Sequence, residues 1–439
     1  MNGKIRSSFF LPASRLSLKC HHPLPILGAL FLICISCTAY AADSGMLSLS
    51  EAEMMALSND PTTKEARAQQ ESFKEKSVAA NTWPDPKLNM GIVNISANTM
   101  DFQKEPMTQA VVGITQAFPP WGAVGAKSGQ LQSMADAMGQ EAKNRRLMTL
   151  MGVRKSWLDV YQQYQSIKIV KESLEVFGQF IGVTQFQYRA GRGNQQDVIR
   201  AQLEQNLLED QLTDTEAKYE SAVAELARWL GVKKINQTLN MITLPDFTKL
   251  PAEPEILSNL ERHPVVMVRK MRVTAAENGV NYADSQSNPG WALRVAYGYR
   301  ADNNFGQPRD DLLTAMLTFD LPLFTGKRQD RLVSASKSEV TASKQALDNW
   351  RREIKMRIEK TMAVYNRAVE RVQLYQGSVL PHSEQNTEAT LNAYKSGVTD
   401  FNVLVRARLT ELKSQLQFIK LNVQRAKAQV ELLYLAGVD

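Results

Sequence analysis

Tyr394-Lys395-Ser396-Gly397, followed nine residues later by Arg406-Ala407-Arg408-Leu409, is the stretch on which the fold turns, because the chain has already used it once. Tyr188-Arg189-Ala190-Gly191 precedes Arg200-Ala201-Gln202-Leu203 at the same spacing, 206 positions earlier. The same shift carries Glu225, Leu226, Gly231 and Val232 onto Glu431, Leu432, Gly437 and Val438. Toward the N-terminus, Pro61, Pro86 and Pro119 recur as Pro264, Pro289 and Pro322, displaced by 203. A register held over most of a chain means two copies of one structural unit. Residues 42–244 form the first copy and 255–439 the second. The segment 245–254, with Pro245, Pro251 and Pro254, reads as a linker, extending around the waist of the molecule.

Outward from each glycine the pattern is helical. No proline interrupts 123–188, where Leu150, Val153, Trp157, Val160, Tyr164 and Ile167 step by threes and fours. That helix would be about 100 Å long at 1.5 Å per residue. A second helix is predicted over 194–230, and the second copy repeats the pair over 326–394 and 400–436. In the last of these, Val405, Leu409, Leu412, Leu416, Ile419, Val423, Ala426, Val430 and Leu433 keep a heptad stripe that favours coiled-coil packing. Gly191 and Gly397 supply the reversals. Pro381 should bend or locally break the second copy's long helix.

Upstream of each hairpin, shorter helices end at matched proline breaks and strands follow. Trp291, Leu293, Val295, Tyr297 and Tyr299 alternate with Ala292, Arg294, Ala296, Gly298 and Arg300 over a strand at 291–301. Its mate, 312–321, sets Leu313, Ala315, Leu317, Phe319 and Leu321 on one face. Period-two alternation fits a half-buried soluble sheet. It equally fits a strand with lipid on one side and an aqueous lumen on the other. The first copy's strands, 87–97 and 109–117, alternate less cleanly, since Val93 and Ile95 follow Leu88, Met90 and Ile92.

Residues 1–41 read as a signal peptide: Lys4, Arg6, Arg15 and Lys19 without an acidic residue, an apolar run from Leu24 to Cys37, and Ala39-Tyr40-Ala41 for cleavage. Cleavage would remove all three cysteines, Cys20, Cys34 and Cys37, and with them disulfide, thiol and thiolate chemistry. Lipidation at Cys37 is not expected, because Cys34 stands where leucine belongs. The formal charge of +7 falls to +3 on processing, and no basic block with interleaved aromatics points to nucleic acid. Phosphate loops, clustered metal ligands and nucleophile–base sets are lacking, so neither an enzyme, a metal site nor a cofactor is expected. Met54, Met55, Met90, Met100 and Met107 are soft donors, but methionines of this kind more often fill gaps in cores.

Four strands of about ten residues can cross an outer membrane but cannot close a barrel, whose smallest natural form has eight. Open edges are not tolerated in lipid, so several chains must contribute. Three copies would give twelve strands and twelve long helices. The duplicated plan, with its Tyr188–Gly191 and Tyr394–Gly397 turns and Arg200–Leu203 and Arg406–Leu409 sequels, resembles the TolC family of outer-membrane efflux ducts. Within it, Gly113-Ile114-Thr115-Gln116-Ala117-Phe118-Pro119-Pro120-Trp121-Gly122 is similar to the branch serving heavy-metal pumps of the resistance-nodulation-division class.

The resemblance implies a mainly α protein with a membrane β-barrel, a homotrimer with a twelve-strand barrel in outer-membrane lipid and a twelve-helix periplasmic tunnel. It would dock on a periplasmic adaptor joined to an inner-membrane pump. Tyr188, Arg189, Ala190, Gly191, Tyr394, Lys395, Ser396 and Gly397 would form the docking tips. Trp291, Leu293, Val295, Tyr297, Tyr299, Leu317 and Phe319 would face lipid. Positions that carry gate aspartates in the family prototype are Val403 and Arg406 here, leaving Asp197, Arg200, Asp400 and Arg406 as the candidate tunnel-end gate. Asp400 equally suits a helix N-cap. Heavy-metal cations are the expected cargo, with drugs or secreted protein as the alternative. An exported coiled-coil structural protein would explain the heptads and the signal but not the paired strands.

Overall fold

The computed structural model describes residues 46–438. The signal peptide, its cysteines and any lipidation at Cys37 lie outside the described residues. The first copy opens with a two-residue strand, β1 (Met46–Leu47), then α1 (Leu49–Asn59) and α2 (Pro61–Ala80). Ser48 and Glu51 form a reciprocal capping box at the start of α1, which fixes where that helix begins. Strands β2 (Lys87–Val93) and β3 (Gln109–Phe118) lead into α3 (Ala123–Arg189) and α4 (Gln195–Leu230). After β4 (Thr238–Leu239) the chain is extended until α5 (Glu253–Asn259), so the 245–254 segment is mostly non-helical.

The second copy repeats the order with α6 (Pro264–Ser285), β5 (Trp291–Tyr299), β6 (Leu312–Phe319), α7 (Gln329–Leu374), α8 (Leu380–Lys395) and α9 (Phe401–Ala436). A 3-10 turn at Thr325–Lys327 precedes α7, which therefore begins at 329 rather than 326. Between α7 and α8 the chain does not break. Tyr375–Val379 widens into a π-helical turn just before Pro381. Proline offers no N–H and crowds the carbonyl four residues back, here that of Gly377, and one wider turn accommodates it so that the helix continues.

β2 stops at Val93 rather than 97 because Asn94 takes a left-handed backbone, φ +59°. Ile95 is therefore not part of the strand, and its apparent breach of the alternation disappears. The remaining differences at strand and helix ends are one or two residues.

The short β1 and β4 pair in parallel, while the four longer strands form one antiparallel sheet in the order β2-β3-β5-β6. The two copies meet at its centre, where β3 pairs with β5 from Phe118↔Trp291 to Ala110↔Tyr299. The helices form a row, with α4 against α3, α3 against α9, and α9 against α7 and α8. Helix α2 lies along α3, and α6 bridges α3 and α7. Three apolar clusters bind the row together. One joins α1, α3, α4 and α9 around Trp157, Leu158, Leu226 and Val430. Another joins α5, α6, α7 and α9 around Ile256, Val266 and Ile358. The third lies near the hairpin tips around Phe177, Leu208, Phe401 and Leu404.

Candidate functional site

The sheet's two faces differ in kind. Directly opposed residues of antiparallel strands share a face, so Leu88, Met90, Val112, Ile114, Trp291, Leu293, Val295, Tyr297, Leu317 and Phe319 belong to one. All of them are exposed. The reverse face carries Asn89, Gly113, Thr115, Ala296, Thr314 and Arg294. No helix packs across either face among the described residues. At about 1.5 kcal/mol per large apolar side chain, leaving the apolar face in water forgoes on the order of 10 kcal/mol. Lipid removes that cost, which favours a membrane sheet over a soluble one. The reverse face is also the tighter one. A Cβ on Gly113 would lie 2.6 Å from Ala296 Cβ, and one on Gly298 would lie within 2 Å of Gln109 Oε1 (1.8 Å).

Both ends of each hairpin are closed by glycine at matched positions. Gly191 (φ +68°) and Gly397 (φ +75°) turn the tips, and Gly231 (φ +70°) and Gly437 (φ +72°) end α4 and α9. At each tip the amide after the glycine reaches back five residues: Arg192 N–H to the Gln187 carbonyl and Val398 N–H to the Ala393 carbonyl, both 2.9 Å. These are Schellman turns, in which glycine takes the left-handed position without a Cβ penalty.

The two tips lie side by side but are not equivalent. Tyr394 is buried against Phe401 and donates its hydroxyl to Gln187 Oε1 of the other hairpin at 3.0 Å. Its counterpart Tyr188 is 48% exposed. A cleft between the tips is lined by Ala190, Asp197, Lys395, Ser396, Gly397 and Asp400, among others. It brings together two of the candidate gate residues, one from each hairpin. Burial, and then the charge of Asp400, push the Asp197 carboxyl above its usual range, although the Asn194 contact opposes this. Arg200 turns away to pair with Glu204 at 2.6 Å, while Arg406 stands exposed on α9. Asp400 occupies the N-cap position of α9 with extended backbone, but its side chain makes no capping hydrogen bond.

Some structurally decisive residues carry no obvious sequence signal. Glu431 accepts from Lys155 of α3 (2.7 Å) and Arg357 of α7 (2.6 Å), clamping three helices. Burial raises its pKa, but these two cations outweigh burial and leave it lowered. Its first-copy equivalent, Glu225, pairs only with Arg228 on its own helix. His263 is buried 171 positions from its partner: Val265 N–H donates to Nδ1, and Nε2 lies 3.0 Å from the Tyr434 carbonyl. That geometry fixes a neutral ring whose Nε2–H donates. Among the described residues, no three His, Cys, Asp or Glu gather as a metal site, and no helix is long and apolar enough to cross a membrane.

An apolar-faced antiparallel sheet joined to a row of long helices is the fold of a TolC-like channel subunit. The chain belongs to the outer membrane efflux protein family, matching it over residues 54–232 and 256–438, one block in each copy. Its fold is similar to that of the outer membrane protein VceC from Vibrio cholerae (TM-score 0.76, 16% identity, 89% of this chain and 96% of that one). It is similar also to CusC (0.75, 15%, 89% and 92%) and to the open state of the MtrE outer membrane channel from Neisseria gonorrhoeae (0.74, 16%, 89% and 89%). Comparison with curated protein sequences gives no match. The family is one of channels, not enzymes.

Proposed function

We propose that three copies of this chain form the outer-membrane duct of a tripartite efflux system, and that the duct exports heavy metals. The observation that carries the duct is that sheet and helix row are both open at both edges. β2 and β6 each have one paired side. Helix α4 leaves Ile199, Leu203 and Leu207 about half exposed at one end of the row, and α7 leaves Leu374 exposed at the other. An unpaired strand edge is untenable in lipid, so closure must come from other copies. Three give an even twelve-stranded barrel.

The tips, Tyr188–Gly191 and Tyr394–Gly397, are then the surface for a periplasmic adaptor and its resistance-nodulation-division pump. Asp197, Arg200, Asp400 and Arg406 stand at the tunnel end as its gate. Metal as cargo rests on the Gly113–Gly122 stretch and its resemblance to the heavy-metal branch.

Two measurements test this reading. Protein extracted from outer membranes should have the mass of three chains in detergent and give stepwise conductance in planar bilayers; a water-soluble monomer would sink the duct. Deleting the gene should sensitise cells to metal salts, whereas loss of only drug or dye tolerance would reassign the cargo.

A further inference from the structure

Helix α9 carries Arg406, Lys413, Lys420 and Lys427, a basic residue every seven positions. Seven residues are nearly two turns, so the four lie along one side of the helix, about 10 Å apart. The stripe is not inherited from the duplication: the first-copy equivalents of Lys413, Lys420 and Lys427 are Leu207, Asp214 and Ser221. Arg406, Lys413 and Lys420 are exposed.

The upper part of the stripe opens into a groove of about 700 Å³ between α3, α7 and α9. There Lys420 and Lys427 face Lys155, Arg357 and Lys360. The carboxylates nearby are already engaged: Glu431 by Lys155 and Arg357, and Asp159 by Lys427. Lys360 and Lys420 make no ion pair among the described residues. The groove therefore holds more positive than negative charge.

The side of the wall follows from Gln429. Its amide donates to the Thr248 carbonyl at 3.2 Å, holding the extended 240–252 segment against α9. Gln429 lies two residues from Lys427, about 200° around the helix. A segment strapped across the inside would obstruct a duct, so the strap marks the outer wall and the basic stripe faces inward.

We propose that the inner wall of the duct is an electropositive path that favours anionic solutes, so that cargo leaves as anions or anionic complexes rather than as bare cations. The proposal rests on the duct reading. Charges about 10 Å apart overlap at the Debye length of physiological salt, roughly 8 Å, and a confined channel focuses their field. Three stripes around one lumen reinforce each other. A metal exported along this wall would travel bound to anionic ligands, and an organic anion would meet the same attraction.

The test is the reversal potential of the full mature protein in neutral-lipid bilayers under a KCl gradient. The native duct should prefer chloride, and K413Q/K420Q should lower the chloride-to-potassium permeability ratio by about twofold or more. Both sites are exposed, so unchanged melting of the variant provides the control for folding. A cation-preferring native duct, or a ratio unmoved by the variant, overturns the proposal with the duct intact. Protein that inserts and never conducts overturns the duct itself, and the selectivity with it. In deletion cells, the variant should restore tolerance less well than the native chain. A deficit toward metal salts alone assigns anionic metal complexes, and a deficit toward an anionic dye alone assigns organic anions. Equal tolerance in both arms rejects the stripe as a cargo path.

Discussion

Asp60 and His263 occupy the same slot in the two copies, each capping a helix whose first residue is proline, yet they answer acid differently. Asp60 accepts from the backbone and side chains of Thr62 and Thr63 and from Thr149 of α3. Burial pushes its carboxyl up, but those hydrogen bonds win and leave it lowered. His263 is lowered chiefly by burial. For both groups the folded pKa lies below the unfolded one, so their stabilisation is present above the unfolded value and lost as pH falls through the folded value. That window opens below about 6.5 for histidine and only below about 3.9 for aspartate. Thermal melts should show stability falling between pH 6.5 and 5 in the native protein. His263→Asn, which retains a capping side chain without a titrating ring, should flatten that part of the profile. A second residue-scale outcome concerns Gly152 of α3, where a Cβ would stand 2.4 Å from the Trp229 ring of α4. Gly152→Ala should cost about 1–3 kcal/mol by overpacking, read as a lowered denaturant midpoint.

At the scale of elements, β5 shows how narrowly a barrel strand is specified. Arg294 already lies on the reverse face, one residue from Val295 on the apolar face. Val295→Arg moves a charge by one position and across the sheet. At a bilayer midplane that should cost about 2–4 kcal/mol, whereas Arg294→Val should be tolerated. Heat-stability of the folded band on gels would separate the two. The long helices show the reverse tolerance. Pro381 is accommodated by the π turn at Tyr375–Val379, while the matched segment of α3, 169–173, remains regular. Pro381→Ala restores an N–H for a four-residue hydrogen bond, and should slow amide exchange across 375–381 without loss of helicity.

At the scale of the whole molecule, the proposed trimer makes each chain one third of the duct, with α4 at one of its open edges. Ile199, Leu203 and Leu207 step by four along α4, so they share one face. Replacing Leu203 and Leu207 with glutamate should reduce the detergent-extracted species from three chains to one, measured by light scattering. Because these side chains are exposed in the single chain, far-ultraviolet circular dichroism should change little. Retention of the three-chain mass would place the subunit contact elsewhere.

Much of this was written locally. Helix and strand periods, the tip glycines and the duplication are properties of short segments, and local patterns announce them. Even the ends were set by single residues, though Asn94 shows the limit: nothing about an asparagine in sequence requires a left-handed backbone. What the sequence by itself determined is therefore two copies of a strand pair and a long hairpin, with an apolar face on the strands. Only the tertiary structure decided that β3 joins β5 in one open sheet, that α3 meets α9 at the centre of the row, and that Asp197 and Asp400 share a cleft. The same packing buried Tyr394 while exposing Tyr188, and gave Glu431 two cations where Glu225 has one. The physical reason is that a repeat dictates like elements, whereas burial and partnership depend on which copy's face each element meets, and the two copies stand at different places in the row.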